Sequence, residues 1–143
     1  MLTALVIVLL GIAAVSVWVR TRPVPEDALA WPKGDWSIGD HVESTGIVAV
    51  RAPDDPDVAY GDLARIIEDA PRTTLREGGP GQGRLIAVTR TRILGFPDVT
   101  HLWTEDGRVL ISGHLVMGKS DMGVNARRVR GWLADAGLDG DGA

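Results

Sequence analysis

The chain has 143 residues, no cysteine and a formal net charge of −4. That length accommodates one domain of ordinary size, not two. The missing thiols exclude disulfides, thiolate chemistry and cysteine-based zinc sites, and a mildly acidic chain without a clustered basic surface offers no footprint for nucleic acid.

Residues Leu2 to Val19 are apolar apart from Thr3, Gly11 and Ser16. At about 1.5 Å per residue the run spans roughly 27 Å, close to a hydrocarbon core of about 30 Å. Trp18 stands where an interfacial aromatic belongs, Arg20 and Arg22 mark the water boundary, and Pro23 and Pro25 stop the helix. A cleaved signal peptide would carry a basic stretch before Leu2, which is missing. Its small-residue cleavage site would lie close behind the apolar run, whereas Ala28-Leu29-Ala30 comes about ten positions too late. No amphipathic face suits a buried core helix. The segment therefore reads as an uncleaved, single-pass membrane helix. The arginines favour a cytoplasmic domain, but Glu26 and Asp27 lie just beyond them and N-terminal anchors often export the domain they carry, so the side, periplasmic or cytoplasmic, stays open.

Pro23 to Lys33 reads as a linker, rich in proline and acidic residues. Gly46 to Arg51 is a short strand. Asp55 is placed to cap a helix with Pro56 at its first position. From Asp57 to Ala70, the residues Ala59, Leu63, Ile66, Ile67 and Ala70 recur at helical spacing, and Pro71 ends the element. Gly78 to Gly83 is a flexible loop. Arg84 to Leu94 is a β-rich run, Gly95-Phe96-Pro97-Asp98 a turn, and Val99 to Thr104 a further strand. Glu105-Asp106-Gly107 makes a hairpin turn to a strand over Arg108 to Met117, with Val109, Ile111, Gly113, Leu115 and Met117 on one face. A closing helix begins at Ser120 or Asp121 and runs to about Ala136. Its stripe is Val129, Trp132, Leu133 and Ala136, with Arg127, Arg128 and Arg130 towards water and Gly137 as the C-cap.

These elements predict an α+β fold: an antiparallel sheet meander flanked by two helices and preceded by one N-terminal transmembrane helix. The expected division is an anchor over 1–22, a linker over 23–33, the α+β domain over 34–137 and a disordered tail over 138–143.

Gly113 to Ser120 satisfies G-x-x-x-x-G-K-[ST], the phosphate-cradling expression. That loop needs small residues that turn backbone N–H groups towards phosphate. Here His114, Leu115, Val116 and Met117 are bulky and continue a strand, and too little chain remains beyond Ser120 to supply a magnesium-binding carboxylate. No nucleotide is expected. The Gly78–Gly83 loop lacks a helix behind it and reads as a plain connection. His41, His101 and His114 match no ligand spacing, so no metal or other cofactor is expected, although two strand-borne histidines can meet across a hairpin. Ser112, Ser120, Asp98 and Asp121 invite a Ser-His-Asp reading, but no G-x-S-x-G elbow exposes a serine. Arg90 and Arg92 share a strand face and, with Lys119 and Arg128, could hold a carboxylate, phosphate or lipid headgroup. Solvated arginines are the plainer reading.

Gly95-Phe96-Pro97-Asp98, then Gly118-Lys119-Ser120-Asp121-Met122-Gly123-Val124-Asn125 leading to Arg127-Arg128-Val129, resembles the DUF1499 family. Its signature looks like R-S-x-x-G-F-P-D and, further along, G-[RK]-S-D-x-G-V-N-x-x-R. The resemblance covers roughly Asp54 to Leu133 and accounts for the phosphate-loop lookalike as the front of another signature. The chain departs from it at Thr89 to Leu94, and at Ser112 to Val116 where an R-S-x-S-R strand is frequent. The resemblance implies bacterial membrane-attached or exported proteins, with relatives in photosynthetic lineages and no established activity.

In this signature Ser120 or Asp121 caps the helix, Gly123 permits close packing and Asn125 can bond the Phe96–Asp98 loop, locking the helix onto the sheet. The candidate ligand-binding set is Arg90, Arg92, Asp98, Lys119, Asp121, Asn125 and Arg128. The expected function is a non-enzymatic, membrane-anchored accessory or binding module. It would contact the membrane through residues 2–19 and take an anionic small molecule, a lipid or a protein. The alternative is a hydrolase-like enzyme using Asp98, His101, His114 and Asp121.

Overall fold

The computed structural model describes residues 1–140. Among these residues there are three α-helices, α1 (Leu2–Thr21), α2 (Pro56–Asp69) and α3 (Val124–Asp135). Six strands accompany them: β1 (Gly39–Glu43), β2 (Gly46–Arg51), β3 (Thr73–Gly78), β4 (Arg84–Arg90), β5 (Pro97–Glu105) and β6 (Arg108–Leu115). All six form one antiparallel sheet in the order β1-β2-β6-β5-β4-β3. Helix α2 carries the chain from β2 to the far edge, and β3 to β6 meander back until β6 meets β2. This is the predicted α+β plan.

The helices α2 and α3 pack on one face of the sheet. Asp55 accepts from the N–H groups of Asp57 and Val58 at 3.1 Å each, so α2 starts where a capping carboxylate and Pro56 place it. Tyr60, Leu63 and Ile67 of α2 and Val129, Trp132 and Leu133 of α3 meet Leu85, Ala87, Leu102 and Ile111 in the main core. At the end of α3, Gly137 takes the left-handed conformation (φ 72°) and the N–H of Leu138 donates back to the Leu133 carbonyl at 2.7 Å. Leu138, which the sequence assigns to a disordered tail, is buried, and its carbonyl accepts from Arg51 at 2.8 Å. The end of that tail, residues 141–143, lies outside the described residues.

The opposite face is covered by the chain between α1 and β1. Val24 packs with Ile86, Val88 and Val99, joined by Ala28, Leu29 and Trp31. The stretch that reads as a linker is thus a strap held on the sheet, with a 3-10 turn over Glu26–Leu29. Coverage on both faces explains why β4 reads as a continuous apolar run instead of alternating.

Several elements differ from the sequence-based ones, β5 starting at Pro97 and β6 ending at Leu115 among them. β1 and β3 are absent from the sequence-based plan because they are polar edge strands (GDHVE and TTLREG), whose charged side chains suit an edge and hide the period-2 signal. β4 stops at Arg90, not Leu94: Gly95 (φ 76°) donates to the Thr91 carbonyl at 3.1 Å, and Thr91 Oγ1 accepts from Phe96 N–H at 2.9 Å, closing a loop. α3 begins at Val124, not at Ser120 or Asp121, because Met122 (φ 51°) and Gly123 (φ 76°) are both left-handed and cannot join a helix. Helix α1 is exposed to its last turns, where Val19 is buried and Ser16 half-buried.

Candidate functional site

The register of β5 and β6 assembles a polar cluster beneath the strap. His101 pairs with Ser112 and Val99 with His114, so both imidazoles and the Ser112 hydroxyl share one face. The two rings stack with centroids 5.6 Å apart and planes 7° from parallel. His101 Nε2 lies 3.1 Å from the Leu29 carbonyl and His114 Nε2 lies 3.2 Å from the Ala28 carbonyl. Carbonyls only accept, so in the neutral rings each Nε2 carries the proton and each Nδ1 is free to accept. Ser112 Oγ stands 3.4 Å from His101 Nδ1 and completes a chain from hydroxyl to ring to strap. Burial holds both histidines below their ordinary pKa, only partly offset by these carbonyls. Trp31 closes over the cluster, its ring centroid 5.0 Å from that of His101.

Beside this cluster lies a cleft of about 360 Å³ between the strap and β2 and β6, lined by Lys33, Trp36, Glu43, Thr45, Ser112 and His114 among others. Its walls offer one cation, one carboxylate, two hydroxyls and a neutral imidazole around aromatic surface, a donor and acceptor set suited to a small polar ligand.

A second polar cluster sits on the helix face. Asp98, at the start of β5, accepts from Arg128 Nη1 at 3.0 Å, and the same nitrogen donates to Asn125 Oδ1 at 2.9 Å. Asp121 accepts from Gly123 N–H at 2.8 Å and from Asn125 N–H at 3.0 Å, and so caps α3 from three residues before it. Burial raises the Asp98 pKa, with Arg128 pulling it back only in part. Burial also acts to raise Asp121, but the N–H groups of Asn125 and Gly123 outweigh it and leave that carboxyl below its ordinary pKa. Thr100 Oγ1 and Asn125 Nδ2 are buried here without a hydrogen-bond partner among the described residues.

A family model described as "Protein of unknown function (DUF1499)" matches residues 33–135, well over half of the chain. The chain belongs to the DUF1499 family. No curated protein matches the chain.

The two DUF1499 signature segments meet in space at the helix-face cluster. Asp98 closes the first, while Asp121, Asn125 and Arg128 belong to the second. The sequence places Asn125 against the Phe96–Asp98 loop and Arg128 towards water. Asn125 does stand at Asp98, but Arg128 leaves the water and spans to Asp98, with Asn125 bracing the guanidinium, and its side chain is only 17% exposed. These residues lock α3 to the sheet.

The other members of the predicted ligand set go elsewhere. Arg90 lies on the strap face, donating to the carbonyls of Val19, Gly95 and Arg22 at 3.3, 3.0 and 3.3 Å. Arg92 and Lys119 are exposed on separate loops. The structure brings together Asp98, Asp121, Asn125 and Arg128, and does not bring Arg90, Arg92 or Lys119 to them. It also splits the alternative catalytic set, with Asp98 and Asp121 on the helix face and His101 and His114 on the strap face. Gly113 to Leu115 lie within β6, and Ser120 Oγ accepts from Met122 N–H at 3.2 Å on an exposed loop. Among the described residues no three His, Asp or Glu side chains form a metal-holding group.

Sequence reasoning misses the strap as part of the site. The available signal is Val24, Leu29 and Trp31, three large apolar residues in a stretch otherwise proline-rich and acidic.

Proposed function

We propose that this protein is a single-pass, membrane-anchored binding module, with α1 uncleaved in the bilayer and the α+β domain holding a small polar ligand in the cleft beside His114. The observation that carries the reading is the seat at the end of α1. Ser16 Oγ donates to the Ile93 carbonyl at 3.0 Å, and Arg20 Nη2 donates to the carbonyls of Arg92 and Ile93 at 3.0 and 3.3 Å. Arg90 reaches back to the Val19 carbonyl, and Val19 is 2% exposed. A leader destined for removal has no need of side-chain bonds into the mature domain. The small residues around Ala28 are themselves engaged, the carbonyls of Ala28 and Leu29 taken by the histidines.

Expression of the full chain with a C-terminal tag tests the anchor. The expected product has the full mass and stays in the membrane after carbonate washing. A soluble product lacking the apolar segment would overturn the reading. Because the chain has no cysteine, single-cysteine variants labelled in intact cells report which side the domain occupies. The binding half is tested by thermal shift of the full chain with small anions, sugars and amino acids. A specific shift lost in Thr45→Trp, which fills the cleft, is expected, and a flat response to all would overturn it.

A second reading, a hydrolase, rests on one observation: Ser112 lines the cleft, and behind it His101 Nδ1 stands 3.4 Å from the Ser112 hydroxyl, as a base stands to a nucleophile. Of the alternative set Asp98, His101, His114 and Asp121, only the two histidines stay with Ser112 on the strap face. Fluorophosphonate labelling that disappears in Ser112→Ala would establish this reading over binding alone. No labelling disposes of it.

A further inference from the structure

We propose that a cleft at the end of α1 binds an anionic glycerophospholipid from the surrounding bilayer, an inference that rests on the membrane-anchored reading and adds a second site to it. Trp18, Val19 and Arg22 from the helix end, Pro23 and Pro25 from the strap, and Pro97, Val116 and Met117 from the domain line about 300 Å³ of mainly apolar space. The volume takes a headgroup and the first carbons of one acyl chain, leaving the rest of the lipid in the bilayer.

Position is the first argument. At 100° per residue, Ser16 and Arg20 project on one side of Val19, and Trp18 and Arg22 on the other. The loop of residues 91–95 contacts the first side through Ser16 and Arg20, and Val116 and Met117 line the cleft on the second. Two loops of the domain therefore flank the last turns of the anchor. Ser16 lies about 6 Å, one turn, deeper than Arg20 along the helix, so its bond to the Ile93 carbonyl draws that loop to the level of the lipid interface. Both loops end in bare apolar side chains, Ile93 at 73% and Met117 at 48% exposed. Trp18, 51% exposed, is the residue type that anchors at this depth.

Charge is the second argument. The Arg22 guanidinium lies 4.6 Å over the Trp18 ring and, among the described residues, makes no ion pair. Arg20 and Arg92 lie at the same end of the helix, and Lys119 comes two residues after Met117. Glu26 and Asp27, in the strap's 3-10 turn, are the nearest carboxylates in sequence. Arginines beside an apolar slot at the membrane boundary favour a phospholipid of net negative charge over a zwitterionic or neutral one.

The test uses the full chain in nanodiscs of phosphatidylcholine mixed with phosphatidylglycerol, then native mass spectrometry of lipid retained on release. Wild type is expected to keep one phosphatidylglycerol in preference to phosphatidylcholine. Arg22→Gln, which leaves the Arg22 carbonyl bonded to Arg90, should reduce that retention about fivefold. Met117→Asp, on an exposed loop, should reduce it as well, with the melting temperature of both variants unchanged. Equal retention of the two lipids, or retention unaffected by both substitutions, would overturn the proposal while leaving the anchor intact. A chain that fails to enter nanodiscs at all would instead overturn the anchored reading, and this proposal with it.

Discussion

His101 and His114 stack in parallel 5.6 Å apart, and each presents its Nε2 to a strap carbonyl, so neither ring takes a proton without placing its charge beside the other. Burial holds both below the ordinary value of 6.5. Below that pH the unfolded chain binds protons that the folded chain refuses. Stability is therefore full above 6.5 and falls as pH drops towards the folded pKa values, where the loss ends. Glu77 acts against the shift at His101, and Asp98 acts against it at His114. The melting temperature should fall on acidification from about pH 7.5 to about pH 5.5, and His101→Gln with His114→Gln should remove most of that slope. Asp98 contributes the opposite sign, since its raised pKa favours the folded state on acidification. A slope unchanged in the double variant would show that other groups set the acid response.

Gly113 is a packing residue. A Cβ there would stand 3.1 Å from Val129 Cγ2 and 3.2 Å from Asn125 Oδ1, where α3 crosses β6. Neither neighbour can withdraw: Val129 is in the core and Asn125 braces Arg128. Gly113→Ala should destabilise by about 1–3 kcal/mol in urea unfolding. No measurable loss would mean that α3 shifts freely on the sheet.

Asp121 holds the entry to α3 by accepting two N–H groups while Met122 and Gly123 turn left-handed. Asp121→Ala should cost about 1 kcal/mol at neutral pH and Asp121→Asn less, since asparagine also caps. The lowered pKa fixes the pH window. The carboxylate's contribution is present above 3.8 and lost as pH falls through the folded pKa, so wild type and Asp121→Ala should converge in acid. A gap that persists at low pH would assign the effect to packing rather than capping.

The sequence was most legible where one physical signal dominated. Asp55-Pro56 and the spacing of Leu63 and Ile67 defined α2, and Glu105-Asp106-Gly107 defined the hairpin, because capping, periodicity and turn chemistry are local. The edge strands β1 and β3 escaped because pairing is non-local and their polar side chains carry no period. The candidate sites divided along the same line. Asp98 from one motif and Asp121, Asn125 and Arg128 from another form one cluster. The strap cleft joins Lys33 and Trp36 to Ser112 and His114 across more than half the chain, a union that only the sheet register creates. Arg90 and Arg92 are alternate residues, yet the chain leaves the strand between them, so the face they were to share does not exist.

Arg128 and Asp98 provide the sharpest separation of a structural role from a ligand-binding one. Their side chains are 17% and 7% exposed, with 3.0 Å between Nη1 and Oδ2. The raised Asp98 pKa shows that the guanidinium does not fully offset burial of the carboxylate. Removing the arginine therefore strands a buried charge. Arg128→Met should cost about 3–5 kcal/mol. Asp98→Asn leaves the guanidinium nearer to water and bonded to Asn125, and should cost less, about 1–2 kcal/mol. In the double variant Asp98→Asn with Arg128→Met no charge is stranded, so it should recover much of the loss, giving a clear coupling in a double-mutant cycle. If the pair instead existed to hold an anionic ligand, Asp98→Asn would strengthen binding of that anion by removing the competing carboxylate, with stability little changed. Chemical denaturation of the four proteins separates the outcomes: strong coupling assigns the pair to locking α3 on the sheet, and additive, small effects would return Arg128 to the ligand-binding candidates.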